Sequence, residues 1–316
     1  MRLNIRTTFP IALAGLATWL TLGVTDTLQA QPPAGEPGAP AAATGAPGGR
    51  GGPRRGGFGG FIKSNDPRAQ NRTYHFEDTN VDLPYCVVVS SKVTKDVKAP
   101  LIVSLHGLGV GPGFMCQGKA VDLAEEGGYI LVAPMGYNVG GWYGSPVISG
   151  RGRGGRGGRG GRGGAPAGPP PPANLAELSE KDVLNVLAII RKEFNIDDNR
   201  TYLMGHSMGG AGALFLGSKY ADQWAAVAAM APAAFLMQPN AKAILTPLKD
   251  KNVPVMIAQG DADELVPVTN TRKWVDAMKE LQMDYQYDEI PGATHGSVIE
   301  KSLPDIFAFF QAHVKK

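Results

Sequence analysis

Cysteine is nearly absent from this 316-residue chain, which contains only Cys86 and Cys116. That excludes a small scaffold held together by many disulfides. An oxidising compartment would permit the one pair to bond, and two buried free thiols fit equally well. Histidine is also scarce, at five residues, and none groups with the cysteines at ligand spacing. A metal site is therefore not expected, and no organic cofactor is implied. A basic body is lacking too, despite a formal charge of +3. The arginines concentrate in residues 1–60 and 149–173, and without those stretches about 21 bases face about 26 acids. The remainder thus carries roughly five negative charges, which argues against a specific nucleic-acid-binding face.

Long apolar runs are missing as well. Residues 9–24 are mostly apolar but short for a membrane span. Arg2 and Arg6 precede them, and Leu28-Gln29-Ala30 follows with a small residue suited to cleavage before Gln31. Residues 1–30 therefore read as a secretory signal rather than an uncleaved anchor helix. The signal itself holds no twin-arginine pair, and no cysteine stands near the cleavage point to carry lipid. The expectation is a secreted or periplasmic protein with no transmembrane anchor after cleavage.

What is abundant is glycine and proline, 43 and 25 residues, unevenly spread. Residues 31–60 are almost wholly Gln, Pro, Ala, Gly and Arg, so 31–72 is expected to be a disordered linker. The catalytic domain, 73–316, should begin near Thr73. Residues 149–172 hold RGG repeats ending in polyproline and read as a disordered insertion, tolerable because loop closure costs grow slowly with length. RGG segments bind single-stranded nucleic acid in other settings. An exported chain rarely meets it, so loose contact with anionic surfaces is the better expectation.

Between these segments strand and helix patterns alternate. Residues 85–90, 100–105, 129–133, 201–204, 224–230, 253–258 and 285–290 are predicted strands, several of them continuous apolar runs. Such runs suit parallel strands covered on both faces. Val183, Val186, Leu187 and Ile190 repeat at helical spacing, as do Trp274, Met278 and Leu281, and a last helix is predicted over 298–313. The class is α/β, a mostly parallel central sheet flanked by helices. The interval 232–252 is too short for a large cap.

Gly205-His206-Ser207-Met208-Gly209 follows a predicted strand and precedes a Gly/Ala helix. That is the strand–turn–helix setting of a nucleophile elbow, in which a tight turn lifts the serine above the sheet. A base and an acid must follow. His295 lies in the loop after the last strand, whereas His75, His106, His206 and His313 sit elsewhere. Asp261, Asp263 and Glu264 follow strand 253–258, and any one of them could orient the imidazole. The oxyanion donors should be the amide of Met208 and that of Leu108 in His106-Gly107-Leu108-Gly109. His206, Trp142 and Tyr143 are candidate substrate contacts, because their loops leave the carboxyl ends of strands. Packing of the two aromatics against the next helix is the competing reading.

Together these residues resemble the α/β-hydrolase superfamily over about residues 73–314. The chain looks most like secreted esterases of the polyhydroxybutyrate-depolymerase and feruloyl-esterase type. It is also similar to small carboxylesterases and to prolyl-oligopeptidase-like catalytic domains. The family acid commonly lies in Gly-x-x-Asp-x-x-Val-Pro, which Gly260, Asp263, Val266 and Pro267 match, so the resemblance implies Asp263. It further implies hydrolysis of an ester, polymeric or aryl-acyl, through a Ser207–His295–Asp263 acyl-enzyme. A serine peptidase using the same groups is the alternative, and a surface-binding protein without activity is a remote one.

Overall fold

The protein is described here by a computed structural model covering residues 62–146 and 172–315. The expected signal, residues 31–61 of the linker and the bulk of the RGG insertion lie outside the described residues.

Eight strands form one sheet: β1 (Ala69–Phe76), β2 (Val81–Val89), β3 (Ala99–Leu105), β4 (Ile130–Pro134), β5 (Ile196–His206), β6 (Ala226–Met230), β7 (Val255–Gly260) and β8 (Tyr285–Ile290). Their order is β1-β2-β4-β3-β5-β6-β7-β8. β2 runs antiparallel to both β1 and β4, and every pair from β4 through β3 to β8 is parallel. Six helices accompany them: α1 (Lys119–Gly127), α2 (Leu175–Glu193), α3 (Met208–Lys219), α4 (Ala241–Asp250), α5 (Val268–Glu280) and α6 (Ser297–Ala312). The fold is that of an α/β-hydrolase, and among the described residues there is no large cap.

Strand alternation divides the core in two. Leu101, Val103 and Leu105 of β3 pack on one face with Val183, Val186 and Ile190 of α2 and with Leu214 of α3. Ile102 points the other way, among Val121 of α1 and Leu303, Ile306 and Phe310 of α6. A sheet covered on both faces needs apolar residues at every position, and all seven residues of β3 are buried.

One boundary is corrected. The folded part does not begin near Thr73, because β1 starts at Ala69 and residues before it are already anchored. Ser64 Oγ donates to the Cys116 carbonyl at 2.6 Å, and the Ser64 N–H donates to Asn71 Oδ1 at 2.7 Å. β1 reads AQNRTYHF and is mostly exposed or half-buried, as an edge strand is. Its ladder to β2 holds it there, and its apolar content gives little warning of it. Cys86 and Cys116 are both buried free thiols. Among the described residues no helix is long and apolar enough to cross a membrane.

Candidate active site

β5 ends at His206 and α3 begins at Met208, so Ser207 alone makes the turn between them. Its backbone stands at φ 57° and ψ −115°, a strained setting for a residue with a Cβ. The close crossing of strand and helix explains the flanking glycines. A Cβ on Gly209 would lie 2.1 Å from the Leu105 carbonyl oxygen. The turn is fastened by three bonds: the Ser207 N–H donates to the Met230 carbonyl at 2.9 Å, and its own carbonyl accepts from Ala211 and Ala233 at 3.0 Å each. Met208 opens the helix, so its N–H is among the donors that a helix start leaves without an internal partner.

Asp263 and His295 come from neighbouring loops, after β7 and after β8. After β7, Asp263 Oδ1 accepts from the N–H groups of Leu265 and Val266 at 2.9 and 2.8 Å. Its Oδ2 accepts from Gln259 Nε2 at 3.1 Å and from His295 Nδ1 at 2.8 Å. Burial by itself pushes the Asp263 carboxyl up, but the Val266 amide, the His295 ring and the Leu265 amide outweigh it and hold it below the usual range. Since a carboxylate only accepts, His295 Nδ1 carries the proton of that bond, and Nε2 is left as the ring atom free of it. Asp261, the other aspartate of this loop, instead accepts from the Gly292 N–H at 2.6 Å and so ties the loop after β7 to the loop after β8.

Gln259 has a role that the sequence pattern does not announce. Fully buried at the end of β7, it donates to Asp263 and to the Val266 carbonyl at 3.0 Å, while its Oε1 accepts from Thr271 Oγ1 at 2.7 Å. A lone amide closing an otherwise apolar strand just before the acid was the available signal.

The remaining candidates divide. Leu108 lies in the loop after β3, its side chain 60% exposed. The neighbouring Gly107 approaches Ser207 so closely that a Cβ there would lie 3.6 Å from the serine Cβ. Trp142 is half-buried and packs on the core. Tyr143 is corrected: it is no substrate wall. Its ring is fully buried, in contact with the backbone of Gly212, where a Cβ would lie 2.6 Å from it. Its hydroxyl donates to the His106 carbonyl at 3.1 Å. His206 is corrected likewise, being 5% exposed with its Nε2 bonded to the His295 carbonyl at 2.8 Å.

The loop carrying Trp142 and Tyr143 is held from below. Asp182 of α2 accepts from the N–H groups of Gly136 and Tyr137 at 2.6 and 3.1 Å and from the Tyr74 hydroxyl at 2.5 Å. Ser179 Oγ donates to the Gly136 carbonyl at 2.7 Å and accepts from the Tyr143 N–H at 2.9 Å. Among the described residues no group of three or more His, Cys, Asp or Glu is placed to hold a metal ion.

A serine on a strained elbow, and an aspartate-bound histidine whose carbonyl meets the residue before that serine, suit nucleophilic acyl transfer. The model of the esterase family described as "Putative esterase" matches residues 80–299, well over half of the chain. The chain belongs to that family. A curated relative, acyl-protein thioesterase 1 of Neurospora crassa, is 29% identical over 115 residues, covering 36% of this chain and 47% of its own length. The chain thus spans about half of that relative. A thermostable esterase structure aligns with TM-score 0.55 and 22% identity, over 78% of this chain and 63% of that one. A ferulic acid esterase from Anaeromyces mucronatus aligns with TM-score 0.57 and 17% identity, over 80% and 94%. Likeness at these identities shows the fold.

Proposed function

We propose that this esterase-family chain hydrolyses carboxylic esters through an acyl-enzyme. The observation that carries the proposal is the 2.8 Å bond from His295 to Asp263, held at the sheet edge where the strained Ser207 stands. Ser207 Oγ attacks the carbonyl while His295 Nε2 takes its proton, and Asp263 stabilises the imidazolium. The amides of Leu108 and Met208 receive the oxyanion, and His295 returns the proton to the departing alcohol. Water then repeats the sequence on the acyl-enzyme and frees the acid.

Exposed apolar side chains follow the strands around the elbow: Leu108 after β3, Phe235 and Leu236 after β6, and Leu265 after β7. With Trp142 they favour esters of apolar or aryl acids, presented on open surfaces rather than beneath a cap. Export by the 1–30 signal belongs to the same proposal, which places the enzyme outside the cytoplasm.

The test is labelling by a fluorophosphonate together with turnover of p-nitrophenyl esters. Ser207→Ala should abolish labelling and lower kcat by at least about 10⁴-fold. Wild-type protein that neither labels nor cleaves any ester would overturn the proposal. Faster turnover of an aminoacyl anilide than of the esters would make it a peptidase.

A further inference from the structure

His206 is buried between the elbow and the loop that carries His295. Its Nε2 meets the His295 carbonyl at 2.8 Å. Its ring lies over that of His295, centroids 4.6 Å apart and planes 48° apart, and the Phe114 ring stands 6.3 Å away. Its Nδ1 is buried with no hydrogen-bond partner and faces Gly107, where a Cβ would lie 3.4 Å from it. One imidazole therefore touches the elbow, by peptide linkage to Ser207, the base loop and the oxyanion loop.

The geometry points to His206 as a positioning residue that fixes His295 against Ser207, through its N–H to the His295 carbonyl and its ring face. The inference rests on the acyl-enzyme reading above. A carbonyl can only accept, so the proton is on Nε2 and Nδ1 carries the lone pair. Burial, and after it the nearness of His295, depress the imidazole to about 4, so the ring stays neutral and the donor stays in place across the working range. Nδ1 forgoes a partner, and a buried acceptor without one is destabilising. A phenyl ring would fill the same space without that cost, so packing alone does not account for a histidine here.

Two variants separate donor from bulk. His206→Phe keeps an aromatic face and removes the donor, whereas His206→Gln retains an N–H at a comparable reach. His206→Phe should lower the fluorophosphonate labelling rate and kcat by about 10²-fold, the scale of a misplacement near 1 Å, with KM within about threefold. His206→Gln should recover both to within about fivefold of wild type. Ring-nitrogen NMR of the wild type supplies a measurement that needs no variant: His206 should show the Nε2–H tautomer with a slowly exchanging proton. Labelling of His206→Phe at the wild-type rate would overturn this inference alone. So would failure of His206→Gln to recover, or an Nδ1–H tautomer. Wild-type protein that does not label at Ser207 overturns the acyl-enzyme reading and this one with it.

Discussion

Two buried titratable residues, both drawn into the site's scaffolding, give it opposite responses to acid. His206 is held near 4 by burial and by His295, whereas in the unfolded chain it titrates near 6.5. Between those values the unfolded chain binds a proton that the native ring refuses, so stability is lost as pH falls from 6.5 towards 4. Asp182 is raised to about 6 by burial, against the bonds from Tyr74, Tyr137 and Gly136 that favour its charged form. The native state there keeps a proton that the unfolded chain, near 3.8, has released. Its contribution is therefore complete below 3.8 and lost as pH rises through 6. In the wild type the two slopes offset each other, and substitution exposes them. Urea unfolding of wild type and His206→Gln at pH 7 and pH 4.5 should show the wild type's relative stability falling by about 2–3 kcal/mol at the lower pH. An unchanged difference would mean that His206 is charged in the native state or already exposed.

At the scale of elements, residues 135–146 after β4 are pinned at several points by α2. Trp142 and Tyr143 both adopt left-handed backbone angles, φ 58° and 55°, and Tyr143 is the post that keeps them there. Tyr143→Ala should cost about 3–5 kcal/mol in urea unfolding by leaving a cavity against Gly212. Tyr143→Phe loses only the bond to the His106 carbonyl and should cost about 1 kcal/mol. Were the ring a wall of the cleft, the alanine variant would raise KM with little change in stability. Sequence could not distinguish these outcomes, because an aromatic after a strand end is equally apolar whether it faces substrate or core. β1 escaped notice for the opposite reason: its polar residues suit an edge strand, which needs a ladder more than a core. Buried strands such as β3 and β7 were legible because double coverage leaves continuous apolar runs. Chain order alone singled out Ser207 and His295, whose catalytic roles belong to the proposal. Choosing Asp263 over Asp261 required the family pattern, since both carboxylates turn out to serve the same pair of loops.

For the whole molecule, the described contacts around Ser207, Asp263 and His295 join segments far apart in the chain. Asp182 and Ser179 reach the β4 loop from α2 by bonds that do not involve the intervening RGG stretch. Replacing residues 149–171 by a short Gly/Ser linker should therefore leave kcat for a soluble ester within about twofold and Tm within a few degrees. Any loss confined to particulate or anionic-surface substrates would give the RGG stretch its role. The strand order also governs how activity is gained during folding. Ser207 follows β5, Asp263 follows β7 and His295 follows β8, and parallel neighbours pair only after distant stretches of chain have met. Such non-local pairings are slow. Local helices such as α2 and α3 form early, whereas the bond between His295 and Asp263 exists only once β8 has docked. After dilution from denaturant, helical ellipticity should return well before fluorophosphonate reactivity, and the lag between them times the docking of the last strand.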